Sequence, residues 1–229
     1  MIQKTALGVI WAGLVLMPSL AFANSIIIGS TGNGSTTDGA VDPNWTYTNS
    51  ASATGQGLVA NNPGSTGSGD FFNGAPPWVA DSASSSWIVD NTANSSSGGP
   101  PLSFSTTFNL AGLNPSTAFL SGAWAIDDTG VLELNGHIIS TLATDGFSWG
   151  VLNAFSVSGS SGDFLSGTNV LSAVLTYNDN TFEGTNVQVS GTADALVSTT
   201  PIPAALPLFA GGLGLMGFFA RRKKRHAAA

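Results

Sequence analysis

The residues of this sequence that could carry acid–base catalysis are few and poorly placed for it. Between residues 24 and 200 there is one histidine, His137, and no cysteine, lysine or arginine. A Ser-His-Asp mechanism needs an imidazole held within hydrogen-bond reach of its nucleophile. His137 directly follows the dipeptide Asn135-Gly136, which favours a tight turn. We therefore predict a solvated turn histidine and no catalytic residue.

Two adjacent carboxylates, Asp127 and Asp128, leave a second kind of catalysis open. Glycoside hydrolysis uses a pair of Asp or Glu residues that flank the scissile bond. Successive residues of a strand point to opposite faces, so these two side chains would converge only at a strand end. A carboxylate-based hydrolase is therefore the least favoured alternative, and we expect a protein without enzymatic activity.

Oxygen-rich turns make calcium the one metal worth considering. Asp127 and Asp128 lie in one such turn, Asp179 in another, and Asp90 precedes Asn91 in a third. Calcium binds carboxylate and carbonyl oxygens, but none of these turns has EF-hand spacing. Asp and Asn are also good turn formers in their own right. The candidate ligands of a structural Ca²⁺ are Asp127, Asp128 and Asp179, and no other cofactor is expected.

Tryptophans near loop edges are the candidates for sugar binding. Carbohydrate-binding sites present a Trp or Tyr face to the pyranose ring beside Asp and Asn side chains. Four tryptophans fit this position, namely Trp45, Trp78, Trp87 and Trp149. The alternative for each of them is packing in the core. Trp124 lies inside an alternating stretch and is expected in the core.

The charge distribution restricts the partners of the central segment. All 13 acidic residues lie between 24 and 200, where the chain has no lysine or arginine, so the formal charge there is −13. Such a surface does not bind nucleic acid or anionic lipid through a basic patch. Without cysteines, the fold depends on its core, alone or with a metal.

The apolar residues of this segment alternate with a period of two, which indicates half-buried strands. Clear examples are "LSFSTTFNL", "FLSGAWAI", "NVLSAVLTY" and "TNVQVSG", and "SIIIG", "NWTYT" and "SWIV" add shorter ones. Asn135-Gly136 predicts a type I′ hairpin that joins Val131–Leu134 to His137–Ser140. Gly55–Phe71 and 91–101 are predicted loops. We expect an all-β domain over 24–196, an antiparallel β-sandwich or jelly roll.

The amino-terminal segment, 1–23, is typical of a signal peptide. Lys4 precedes an apolar run, Ala6–Met17, which is too short to cross a bilayer comfortably. Small residues at Ala21 and Ala23 fit signal peptidase, and they predict cleavage before Asn24. The alternative is an uncleaved anchor. Either way, the export machinery carries residues from Asn24 onward out of the cytoplasm.

The carboxyl-terminal segment is typical of a membrane anchor. After a linker at 197–200, residues 201–220 carry no charge and can form a transmembrane helix over about 204–220. A stop-transfer cluster follows at 221–225, made of Arg221, Arg222, Lys223, Lys224 and Arg225. Basic residues stay on the cytoplasmic side, so the sequence predicts an inner-membrane precursor with its β-domain outside.

The motif "PIPAALPLF", the apolar segment and the basic cluster together resemble the PEP-CTERM sorting signal of Gram-negative bacteria, over 201–229. Ile202 replaces the glutamate of the eponymous motif, so the resemblance is to the VPLPA-like variant. It implies that Pro201, Pro203 and Ala204, in the motif at 201–204, are recognised by the membrane enzyme exosortase. It also implies that exosortase releases or re-anchors the protein in the envelope, on the surface or in the extracellular matrix.

A second resemblance covers roughly 41–195 and concerns the fold. The order of motifs is similar to the galactose-binding-like jelly roll of carbohydrate-binding modules. The residues that carry it are Phe108, Leu110, Gly122, Trp124, Ala125, Asp127, Asn135, Gly136, Phe164, Gly167, Thr168, Asn169 and Leu171. One such fold hosts many functions. The resemblance implies a domain that binds or organises extracellular polysaccharide. The alternative is a structural surface or biofilm-matrix protein without a specific ligand.

Overall fold

The computed structural model describes residues 23–60, 78–90, 101–143, 148–177, 183–196, 209 and 211–216. The chain divides into two units, Met1–Leu196 and Val197–Ala229. The predicted sorting motif, basic cluster and linker, and all of the predicted signal peptide except Ala23, lie outside the described residues. Ala23 and Asn24, which flank the predicted cleavage site, are the first two residues of a strand.

The described part of the first unit is all-β, as predicted, and every strand pairing in it is antiparallel. Three short 3₁₀ turns, Thr31–Gly34, Pro115–Thr117 and Gly159–Ser161, are its only helical elements. The strands are β1 (Ala23–Ile26), β2 (Val41–Thr48), β3 (Thr54–Ala60), β4 (Trp87–Val89), β5 (Ser103–Asn109), β6 (Phe119–Asp127), β7 (Thr129–Leu134), β8 (His137–Leu142), β9 (Asn153–Ser158), β10 (Thr168–Tyr177) and β11 (Gly184–Asp194).

One continuous sheet runs in the order β8-β7-β10-β5-β2-β3-β4-β11-β6-β9, and β1 pairs with β11 beside this path. Its two halves contribute to the same core, because Phe104, Leu132 and Leu171 from one half cluster with Trp124 and Val187 from the other. The indole N–H of Trp124 on β6 donates to Ser140 Oγ on β8 at 3.0 Å. The sheet therefore folds over on itself around one main core.

The period-two alternation predicts the following buried positions correctly, although the end of β6, from Trp124 to Asp127, is buried on both faces. Leu102, Phe104, Phe108 and Leu110 are buried, and so are Leu120, Trp124 and Ile126. The predicted hairpin is also confirmed, since Asn135 (φ 53°) and Gly136 (φ 82°) both have the positive φ of a type I′ turn between β7 and β8.

One predicted loop begins with a strand. Gly55–Phe71 is predicted as a loop, but residues 54–60 form β3, which pairs with β2 on one side and β4 on the other. A carbon at the Cβ position of Gly57 would lie 3.0 Å from Ile88 Cδ1, so the Ile88 side chain packs closely over this glycine. Pairing with a strand on each edge makes this stretch a β-strand, although its Gly-rich sequence does not predict one.

A buried aspartate fixes the entry to β2. Asp42 is fully buried, and its Oδ2 accepts from the Gly32 amide at 2.6 Å. Its Oδ1 accepts from the amides of Asn44 at 2.7 Å and Trp45 at 3.1 Å. Burial raises the pKa of Asp42 above its ordinary value, although the three backbone hydrogen bonds act in the opposite direction.

In the second unit, Phe209 and residues 211–216 are helical. Among the described residues, no helix has the length and apolar character needed to cross a membrane. The predicted span at about 204–220 lies largely outside those residues.

Candidate carbohydrate-binding surface

Three of the four tryptophans predicted for sugar binding are buried, which corrects that prediction. Trp45, Trp78 and Trp87 have exposed fractions of 0%, 2% and 0%. Each indole N–H also has a partner inside the fold, because Trp45 donates to Gly29 O, Trp78 to Asp127 Oδ2 and Trp87 to Val79 O. Their rings are covered by protein, so they cannot offer a face to a sugar.

Two of these rings build a second apolar cluster outside the main core. Trp78 stacks on Trp87 with ring centroids 3.9 Å apart, and both pack with Val89 and Ala125. Trp149 is partly buried against this same cluster. It is the one member of the predicted set that keeps an exposed part, and sugar binding at Trp149 stays a prediction.

Two of the three predicted calcium ligands, Asp127 and Asp128, lie in the described part of the chain, and Asp179 does not. Asp127 is buried and accepts from Trp78 Nε1 at 2.7 Å, so it helps to hold the second cluster. Asp128 is partly buried, and Asp179 lies outside the described residues. Within the described ranges, no three His, Cys, Asp or Glu side chains come together in a way that could hold a metal. The calcium site stays a prediction.

His137 is a surface residue at the start of β8. Its side chain is 67% exposed, and its Nδ1 lies 3.7 Å from Asp163 Oδ1. The prediction of a solvated turn histidine is confirmed.

The residues that carry the jelly-roll resemblance around Asn135 and Asn169 support the fold. Asn169 is fully buried, donates to the carbonyls of Leu165 and Gly167, and accepts from the Leu165 amide, at 2.8–2.9 Å. Asn135 donates to Asn169 Oδ1 at 2.9 Å and to Asp163 O at 2.7 Å. These bonds connect the β7–β8 turn to the loop before β10.

The outer side of six neighbouring strands forms a surface that the sequence analysis did not identify. Residues directly opposite each other in antiparallel strands share a face. We call this surface, on β3, β2, β5, β10, β7 and β8, the Ser/Thr face. Its two registered rows are Gln56-Thr46-Ser105-Ser172-Glu133-Ile138 and Thr54-Thr48-Ser103-Val174-Val131-Thr141.

Hydroxyl groups on this face bond to neighbouring strands. Ser105 Oγ and Ser172 Oγ lie 2.9 Å apart across β5 and β10. Thr46 Oγ1 donates to Ser105 O at 3.4 Å, and Ser103 Oγ donates to Thr48 O at 3.5 Å. Each hydroxyl has one donor and two acceptor sites, so this face retains hydrogen-bonding capacity toward solvent.

Glu133 is the one ionisable side chain in the two rows. No lysine or arginine occurs between residues 24 and 200 to pair with an anionic ligand. The face can therefore donate to and accept from an uncharged, hydroxyl-rich ligand, and it has little attraction for an acidic one.

A signal for this face was present in the sequence. The stretches "SFSTTF" and "NWTYT" that predict buried apolar positions also place Ser and Thr at the alternate positions. Only the pairing register shows that these alternate positions lie side by side on six strands.

No protein-family model matches the chain, and no curated protein matches it.

Proposed function

We propose that this is an exported, envelope-sorted, non-catalytic protein whose β-domain binds or organises extracellular polysaccharide through the Ser/Thr face. We further propose that the domain is a β-sandwich of the jelly-roll type. The observation that carries the binding proposal is the pair of hydroxyl-rich rows across six strands, in which Glu133 is the one ionisable side chain. Polysaccharide hydroxyls both donate and accept, as do the serine and threonine hydroxyls of this face.

The sorting part of the proposal depends on the order of segments in the sequence. An apolar leader ends in Ala21 and Ala23, and the far end combines Pro201 and Pro203 with an uncharged stretch and five basic residues. We propose that signal peptidase cuts before Asn24 and that exosortase acts near the proline motif. The Arg221–Arg225 cluster holds the precursor at the inner membrane until then.

Mass analysis of protein recovered from the envelope and the medium tests this processing. The expected product begins at Asn24 and lacks the basic cluster. A variant with Pro201→Ala and Pro203→Ala keeps the basic cluster and stays with the inner membrane. Full-length, unprocessed protein found in the cytoplasm would contradict the sorting proposal.

Retention of the mature protein on polysaccharides tests the binding proposal. Thr46→Val with Thr48→Val removes two exposed hydroxyls while keeping side-chain shape and strand preference. Two lost hydrogen bonds at about 1 kcal/mol each weaken binding by roughly tenfold or more. Thr192→Val, exposed on β11 outside the face, is the matched control and retains full binding.

Glycan arrays separate this proposal from its alternative. Binding to at least one neutral polysaccharide, weakened by the double variant alone, supports it. Absence of binding to every glycan favours a structural matrix protein without a specific ligand.

A further inference from the structure

A pocket of about 520 Å³ lies between β1 and the end of β5. It lies where the pairing between β2 and β5 has ended. β2 pairs with β5 only at Ser103–Ser105, so the following residues of β5 have no partner on that edge among the described strands. β1 pairs with β11, in the other half of the sheet. The size is in the range of small-molecule sites in proteins, about 300–1,000 Å³.

The side chains that line the pocket include polar ones and no charged ones. The polar ones are two amides and three hydroxyls, contributed by Asn24, Ser25, Thr107, Asn109 and Thr168. None of the lining side chains is ionisable. Amide and hydroxyl groups offer both donors and acceptors, which suits a ligand with hydroxyls around a ring.

Apolar groups complete the pocket. Phe108 and Ile26, which belong to the main core, contribute to its lining, and Ile27 is 93% exposed. An isoleucine so exposed at a polar pocket provides an apolar surface for the C–H face of a ring. A few directional polar groups against apolar walls are typical of small-molecule sites.

The pocket continues the Ser/Thr face. Thr107 is opposite Val170, and Asn109 is opposite Thr168, so these pairs form the next two registered rows of β5 and β10. A chain of sugars along β5 would pass from Ser103 and Ser105 to Thr107 and then to the pocket.

We infer that this pocket binds one uncharged sugar unit, at the end or at a branch of a polysaccharide that lies on the Ser/Thr face. The inference rests on the proposed function and narrows its ligand to neutral sugars. The formal charge of −13 between residues 24 and 200 disfavours uronic or sulfated units. The face supplies contacts along the polymer, and the pocket selects the unit.

Saturation-transfer NMR on the mature protein tests the inference with methyl glycosides of glucose, galactose, mannose and N-acetylglucosamine. At least one of them gives a signal with the wild type. Ala111→Trp fills the pocket from an exposed lining position and abolishes that signal. Thr107→Val with Thr168→Val removes two lining hydroxyls and weakens the affinity roughly tenfold. Ser156→Ala, at an exposed position on β9 outside both the pocket lining and the Ser/Thr face, leaves the monosaccharide signal unchanged.

The outcomes distinguish the pocket from the face. If polysaccharide is retained but no glycoside signal depends on Ala111, Thr107 or Thr168, the pocket inference is wrong and the proposed function stands. If neither polysaccharide nor glycoside binds, both are wrong. If light scattering shows a wild-type dimer that Ala111→Trp converts to a monomer, a second copy occupies the pocket, and the inference is overturned.

Discussion

Asp42 is a carboxyl group held in a fully buried site by three amide donors. Its pKa is raised above the ordinary value of 3.8, mainly because burial disfavours the charged form. Between 3.8 and the raised value, the native state binds more protons than the unfolded state. The stability contributed by Asp42 is thus fully present below 3.8 and is lost as the pH rises through the native pKa.

We therefore expect the free energy of unfolding of the wild type, relative to Asp42→Asn, to fall as the pH rises from 3.8. The amide also places a donor opposite the Gly32 N–H, which destabilises the variant by an amount that does not depend on pH. Urea denaturation of both proteins from about pH 3 to about pH 7 measures the difference. A wild-type advantage that grows with pH would contradict the prediction.

At the residue scale, the sequence did not show which tryptophans are covered. Trp78 and Trp87 lie near predicted loops, as surface aromatics do, but they stack on each other and join Val89 and Ala125 in a second cluster. The distance in sequence between a tryptophan and a predicted turn does not show which residues pack over its indole ring. Trp124 was predictable because its alternating neighbours determine its face.

At the element scale, the β7–β8 hairpin depends on Gly136, whose φ is 82°. A Cβ at this position meets nothing within 4 Å, so Gly136→Ala adds backbone strain and no clash. We expect it to lower the free energy of unfolding by about 1 kcal/mol. Chemical denaturation provides the measurement.

Gly167 is the matched control for that change. A Cβ there also meets nothing within 4 Å, and its φ is not in the left-handed region. Gly167→Ala should change stability by less than about 0.5 kcal/mol. Equal losses at both positions would show that backbone conformation is not the cause.

Strands with apolar alternation were predictable, whereas β3 was not. In β5 and β10, buried residues alternate with more exposed ones along the sequence itself. The start of β3 reads "TGQG", which has no apolar alternation and two glycines. It is ordered by pairing with β2 and β4, and the residues of β3 alone do not show those pairings. The Ser/Thr face could not be predicted for the same reason. The pairing register decides which residues of neighbouring strands lie side by side, and the sequence does not give that register.

At the scale of the whole molecule, the bond from Trp124 to Ser140 joins strands from opposite ends of the sheet path. Ser140→Ala leaves the buried indole N–H without this acceptor, so we expect a loss of about 1–3 kcal/mol in the free energy of unfolding. Ser156→Ala on β9, an exposed serine, should have little effect. Urea denaturation of the two variants and the wild type measures these changes. Equal unfolding midpoints for Ser140→Ala and the wild type would show that the hydrogen bond to Trp124 does not stabilise the fold.

If the protein is exported as we propose, the pairing of its first strand affects when the signal peptide can be cut. β1 begins at Ala23, and its partner among the described strands is the end of β11, Gly191–Asp194. Until that last strand has also left the cytoplasm, β1 has no edge on which to pair. We propose that signal peptidase cuts before Asn24. It can then reach this bond while β1 is still unpaired, during the time in which the residues between β1 and β11 cross the membrane. Arrival of β11 then ends this interval, because the two residues that flank the bond pair with that strand.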